Sequence, residues 1–159
     1  MHSVTLSVFT SKSFTNHSRP AVYIIHGGGQ IAGDRFSAID SLIRLFEGID
    51  FVILSVEYRL ALEHPAPAAL NDSYAGLVWV ADHAAELGID PAQIMILGGS
   101  GGGPIAAGCS LLERQNQHPT LNLLAQMLIT PMLDDQGQTL SAKQFEHVGP
   151  WCAATNQMA

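Results

Sequence analysis

One stretch constrains this chain more than any other: Leu97-Gly98-Gly99-Ser100-Gly101-Gly102-Gly103. Just before it stands Gln93-Ile94-Met95-Ile96-Leu97, short, apolar and β-prone. Just after it, Pro104 opens a run through Arg114 that reads as a helix, since proline is tolerated in a first helical turn. A strand that reverses this sharply into a helix brings the turn close to both elements. Side chains beside the central Ser100 would collide with them, and Ser100 itself is forced into a strained backbone conformation. The helix start then points free N–H groups and a positive dipole end at the hydroxyl.

Gly-rich turns also serve as linkers and as phosphate loops. A linker does not follow an apolar strand so tightly, and a Walker-type loop requires Gly-Lys-Ser/Thr, whereas no Lys is near. Strand, Gly98-x-Ser100-x-Gly102 and helix together form the nucleophile-elbow arrangement, with Ser100 as nucleophile.

The rest of the chain supplies alternating strands and helices. Residues 3–10 alternate Val4, Leu6 and Val8 with polar residues, a half-buried strand. Residues 11–20 are polar enough to turn, so a hairpin with the next strand is expected. Ala21-Val22-Tyr23-Ile24-Ile25 is continuously apolar, as in a strand covered on both faces, and runs into His26-Gly27-Gly28-Gly29. Phe36, Ile39, Leu42, Ile43 and Phe46 recur at helical spacing, with Gly48 at the cap. Residues 51–56 form the next buried strand. A Pro-punctuated loop over residues 57–69 leads to a long helix carrying Leu70, Tyr74, Leu77, Val78, Ala81 and Ala85 on one face and stopped by Gly88. A further strand spans Leu123–Ile129, followed by a turn at Asp134-Asp135-Gln136-Gly137. Residues 141–159 begin another helix that Gly149-Pro150 breaks. This alternation predicts an α/β fold with a mostly parallel sheet and helices on both faces. His26-Gly27-Gly28-Gly29, Ser100 and Asp134-Asp135 all fall directly after strands, where such folds gather their functional residues.

Composition narrows the partners. The 159 residues are 47% hydrophobic and 13% charged, enough for one globular domain with a core. The net charge of -7 and the absence of a Lys/Arg cluster argue against nucleic acid and anionic membranes. No apolar run reaches membrane-spanning length, and the first residues lack the pattern of a secretory signal. Cys109 and Cys152 have no metal-ligand spacing, and a reducing, cytoplasmic compartment is expected.

Acyl transfer needs a nucleophile, a base, a group that orients the base, and donors for the oxyanion. The backbone N–H of Gly101, next after Ser100, is one donor, and a Gly-rich loop such as His26-Gly27-Gly28-Gly29 supplies the second. With Tyr23-Ile24-Ile25-His26-Gly27-Gly28-Gly29, Glu57-Tyr58-Arg59-Leu60-Ala61-Leu62-Glu63-His64-Pro65, Gly98-Gly99-Ser100-Gly101-Gly102 and Pro131-Met132-Leu133-Asp134-Asp135 in place, the chain resembles the hormone-sensitive lipase branch of the α/β-hydrolases. The resemblance implies hydrolysis of small carboxylic esters without metal or organic cofactor. It also implies an oxyanion hole in which Gly28 and Gly29 join Gly101, with His26 and Gly27 supporting the motif.

The sequence departs from that pattern. Gly99 and Gly101 stand where the branch commonly has Asp and Ala, and Leu62 replaces a usual Pro. The family's Asp-Pro-Leu-like and His-Gly-Phe-like stretches, which bring the acid and the His, are absent, as are the cap helices. Residues 1–159 thus read as a partial α/β-hydrolase catalytic domain, truncated before the last strands, weak or inactive alone, and suited to self-association or a complementing chain. The alternatives are a non-catalytic small-molecule binder, as in the plant gibberellin receptors that resemble this family, or an interaction fragment. His26, His64, His83, His118 and His147 are expected as surface or structural residues rather than a substitute base, and Asp134 and Asp135 as a turn. Arg59 and Glu63 are expected in an internal ion-pair network tying their loop to the sheet. Trp79 and Trp151 are expected to pack.

Overall fold

A computed structural model describes residues 3–10, 18–149 and 151–158. Its five-stranded sheet has the order β1-β3-β2-β4-β5, built from β1 (Thr5–Phe9), β2 (Arg19–Ile25), β3 (Val52–Glu57), β4 (Ile89–Gly99) and β5 (Leu123–Ile129). All neighbouring pairs are parallel except β1 with β3.

Strand periodicity divides the apolar runs between two cores. Ala21, Tyr23 and Ile25 of β2, Val52, Leu54 and Val56 of β3, and Ile94 and Ile96 of β4 join the larger cluster. Their alternates Val22, Ile24, Ile53 and Leu97 join the smaller one on the opposite face. α2 (Ala68–Asp82) and α4 (Gly102–Asn116) cover the larger cluster. α1 (Ile39–Leu45) covers the smaller one through Ile39 and Leu42. α2 approaches closely: a Cβ at Gly76 would run into the Tyr23 hydroxyl, which itself donates to Ser73 O at 2.9 Å.

Several expectations are corrected. β1 does not form a hairpin with β2. It pairs antiparallel with β3, Leu6 opposite Val56 and Phe9 opposite Ile53. The fully apolar β2 takes a parallel neighbour on each edge, and the alternating β1 is left for the sheet margin, where one side of each residue meets solvent. Residues 11–17 of the expected turn lie outside the described residues. Phe36 precedes α1 and is exposed, as is Ile43. The long helix ends at His83, whose backbone (φ -107°, ψ 18°) leaves helical geometry. The short α3 (Ala84–Leu87) follows, capped by Gly88 at φ +67°. After β5 come α5 (Leu140–Gln144), with the Thr139 hydroxyl accepting from Ala142 N, and α6 (Ala153–Met158). Among the described residues no helix is long and apolar enough to cross a membrane.

Candidate active site

Ser100 sits between β4 and α4 at φ +49°, a left-handed conformation that side-chain-bearing residues rarely adopt. The turn is clamped on both sides. Its N–H donates to Ile129 O at 2.9 Å, and its carbonyl accepts from Gly103 N and Met132 N, both at 3.0 Å. The flanking glycines are there because of close approach. A Cβ at Gly98 would meet Ala106 Cβ at 2.7 Å and the Gly102 carbonyl closer still, and one at Gly102 would be driven into the carbonyl oxygens of Ile25 and His26. At Gly99 an added Cβ meets nothing within 4 Å, so close approach does not account for a glycine there. The Ser100 side chain is exposed, and its hydroxyl has no hydrogen-bond partner among the described residues.

The His26-Gly27-Gly28-Gly29 loop lies directly against this turn. A Cβ at Gly27 would come to 3.3 Å from Ser100 Cβ, and one at Gly101 to 2.7 Å from both Gly29 Cα and Gly29 N. The loop is fixed from beneath. His26 is buried and stacks on Tyr58 with ring centroids 4.1 Å apart. The Tyr58 hydroxyl donates to His26 O at 2.8 Å. Burial pushes the His26 pKa down, favouring the neutral ring, and Nδ1 must carry the proton because its 2.7 Å partner is the Gly27 carbonyl. Gly28 (φ +115°) and Gly29 (φ +60°) complete the turn, with Gly28 O accepting from Ile31 N and Ala32 N. The N–H groups of Gly28, Gly29 and Gly101 find no acceptor among the described residues. Among the described residues, three N–H groups and one hydroxyl without partners thus stand on a loop and a turn that touch where two strands end.

A model of the alpha/beta hydrolase fold matches residues 22–158. The chain belongs to this family. Among its relatives, carboxylesterase NlhH of Mycobacterium tuberculosis is 44% identical over 103 residues, which are 64% of this chain and 32% of that protein. Carboxylic ester hydrolase LipN of the same organism is 40% identical over 132 residues, 79% of this chain and 34% of that protein. The solved bacterial heroin esterase superimposes with a TM-score of 0.88 at 34% identity, over 98% of this chain and 48% of that one. The chain thus spans about a third of the length of these curated relatives and about half of the solved chain.

This alpha/beta hydrolase chain brings no histidine into hydrogen-bonding contact with Ser100 among the described residues. His118 lies before the amino end of β5, opposite the end where Ser100 sits, beside Asp82 (3.9 Å) and Thr120 (3.1 Å). His83 is stacked on Trp79 and bonded to Trp79 O at the end of α2. His64 lines a small cavity of about 190 Å³ with Gln30, Leu70 and Pro104. His147 is exposed beside Glu146. Asp134 Oδ1 accepts from Gln136 N at 3.1 Å, as a turn residue does. Arg59 pairs with Asp72, not Glu63: Nε and Nη2 each donate to a carboxylate oxygen at 2.8 Å, and Arg59 N donates at 3.0 Å. The loop is therefore tied to α2 rather than to the sheet. The partner is hidden in sequence because Asp72 sits on the buried, otherwise apolar face of α2, 4% exposed.

Trp151 has a position that its sequence context did not signal. Its six-membered ring packs on Gly29, where any Cβ would enter the ring. Beside it opens a cleft of about 880 Å³ walled by Pro131, Met132, Leu133, Trp151 and Asn156.

Proposed function

We propose that residues 1–159 carry the nucleophile and the oxyanion donors of a serine carboxylic ester hydrolase of the hormone-sensitive lipase branch, acting on small or short-chain esters. The observation that carries the reading is Ser100 at φ +49° in a turn packed against the Gly27–Gly29 loop, with the N–H groups of Gly28, Gly29 and Gly101 without an acceptor among the described residues. In this mechanism Ser100 Oγ bonds to the ester carbonyl carbon, and the carbonyl π pair moves onto its oxygen. The three N–H groups hold that charge. When the pair returns, the bond to the alcohol oxygen breaks, leaving an acyl-serine that water hydrolyses. Fixed donors aimed at a developing oxyanion are worth roughly 3 kcal/mol each.

The hydroxyl proton needs a base, and a serine without one is a poor nucleophile at neutral pH. In this reading the base and its orienting acid come from a complementing segment of the same fold, consistent with a match to about half of the solved relative. The free edge of β5, with Leu124 65% exposed, supports a neighbour there, whether that segment or a second copy. The two free thiols, Cys109 and Cys152, support a reducing, cytoplasmic setting.

The test is labelling by a fluorophosphonate probe and hydrolysis of p-nitrophenyl acetate and butyrate, in the chain alone and in a context that restores the missing segments. Slow or no turnover is expected alone. Labelling of the restored chain is expected to be abolished by Ser100→Ala. Label that survives Ser100→Ala rejects the nucleophile. Saturable ligand binding without turnover in the restored chain would establish the non-catalytic binder instead.

A further inference from the structure

We infer that Trp151 is a specificity-determining wall beside the oxyanion loop, limiting the size of the substrate group that lies against Gly29; this rests on the reading of Ser100 as nucleophile. The ring lies on the face of Gly29, and Gly29 touches Gly101, so the indole stands one residue's thickness from the donors beside Ser100. The cleft it bounds runs to Pro131 and Met132. Met132 N is bonded to the Ser100 carbonyl, so the same backbone that fixes the nucleophile forms the opposite wall.

The ring is held in one orientation. Its Nε1 donates to Asn156 Oδ1 at 3.2 Å, leaving the apolar six-membered end toward Gly29. The residues after it are pinned by Cys152 N to Thr155 Oγ1 at 2.7 Å and by Ala153 N to Glu146 O at 3.1 Å. A large aromatic face fixed by its polar edge is a rigid boundary. The groups it admits are short unbranched chains or a flat ring lying parallel to the indole. Branched or fused-ring groups meet its edge.

The experiment uses boronic acids, whose boron bonds to a serine oxygen and becomes tetrahedral. Trp79→Phe leaves Trp151 as the sole indole. Butyl-, phenyl- and naphthylboronic acids are titrated into that chain combined with the complementing segment that supplies the base, with boron NMR reporting the adduct and the emission that Trp151→Phe removes reporting Trp151. A Ser100-dependent adduct accompanied by a saturable change in emission is expected. Trp151→Ala is expected to shift preference toward naphthylboronic over butylboronic acid by roughly tenfold, while Trp151→Phe keeps the original order. If Trp151→Ala fails to fold, Trp151→Phe and the emission titration decide. An adduct that forms with emission and size preference unmoved overturns the wall and leaves Ser100 standing. No Ser100-dependent adduct with any of the three overturns both.

Discussion

At the amino ends of β4 and β5, polar side chains are tied to one another. Glu113, 9% exposed, accepts from the Tyr74 hydroxyl at 3.1 Å and from His118 N at 3.0 Å. Asp82 takes the Thr120 hydroxyl at 2.7 Å, and Asp90 takes Ala92 N and Gln93 Nε2. At the carboxyl ends of the same strands the pattern inverts. Ser100, Gly28 and Gly29 stand at positive φ, and one hydroxyl and three N–H groups have no partner among the described residues. Paired polar groups stabilise a fold and are inert. Unpaired ones on an over-determined backbone are what the proposed oxyanion site would need. The contrast teaches that the carboxyl end is expensive to build and the amino end merely satisfied, and each can be tested by substitution.

The largest effect is expected at Gly102. Gly102→Ala would drive a methyl into two backbone carbonyl oxygens that cannot yield like a flexible side chain. A loss of about 3 kcal/mol is expected in urea denaturation. Gly99→Ala, three residues earlier with nothing within 4 Å of the new Cβ, is expected within about 0.5 kcal/mol of the parent. Equal effects at both sites would remove the claim that the elbow is pressed against the His26 loop. The same crowding shows that Gly28→Ala and Gly29→Ala would disturb the loop itself, by striking Ala32 O and the Trp151 ring, and so would not isolate a lost oxyanion donor.

An intermediate effect is expected at the amino end. Glu113→Ala leaves His118 N without its acceptor and the Tyr74 hydroxyl without its carboxylate in a nearly buried site. A cost of about 2 kcal/mol is expected, with Glu113→Gln costing roughly half because one acceptor oxygen remains. Fluorophosphonate labelling of Ser100 in the restored chain should be unchanged by Glu113→Gln. A drop in labelling without a drop in stability would mean that the two ends are coupled and the contrast is false.

The elements at the carboxyl end were legible because each is specified locally. An apolar strand, a run of glycines around one serine and a helix lie within about twenty residues, and Leu123–Ile129 is read at its observed bounds. What was illegible is non-local. The partner of β1 depends on which strands compete for β2, a question of sheet order that an alternating strand does not encode. Arg59 finds Asp72 across a loop and a helix turn, a partner farther along the chain than Glu63. Trp151 meets Gly29 from the far side of the chain, and one tryptophan before a weak helix carries no hint of that contact.

The smallest effect tests whether the carboxyl end stores backbone strain at all. A Cβ at φ +49° costs roughly 1–2 kcal/mol, since it crowds the following carbonyl. Ser100→Ala keeps that Cβ and removes only a hydroxyl without a partner among the described residues, so its stability should match the parent. Ser100→Gly removes the Cβ, but the unfolded chain gains freedom worth roughly 0.5–1 kcal/mol, which offsets part of the relief. The net expectation is that Ser100→Gly is about 0.5–1 kcal/mol more stable than Ser100→Ala. Urea midpoints at equal slope read this difference directly. Because both variants lack the hydroxyl, any loss of reactivity cancels and only the conformational cost is compared. A glycine variant no more stable than the alanine variant would mean that the three clamping bonds from Ile129 O, Gly103 N and Met132 N define the turn without strain, and that the two ends of the sheet differ in pairing alone.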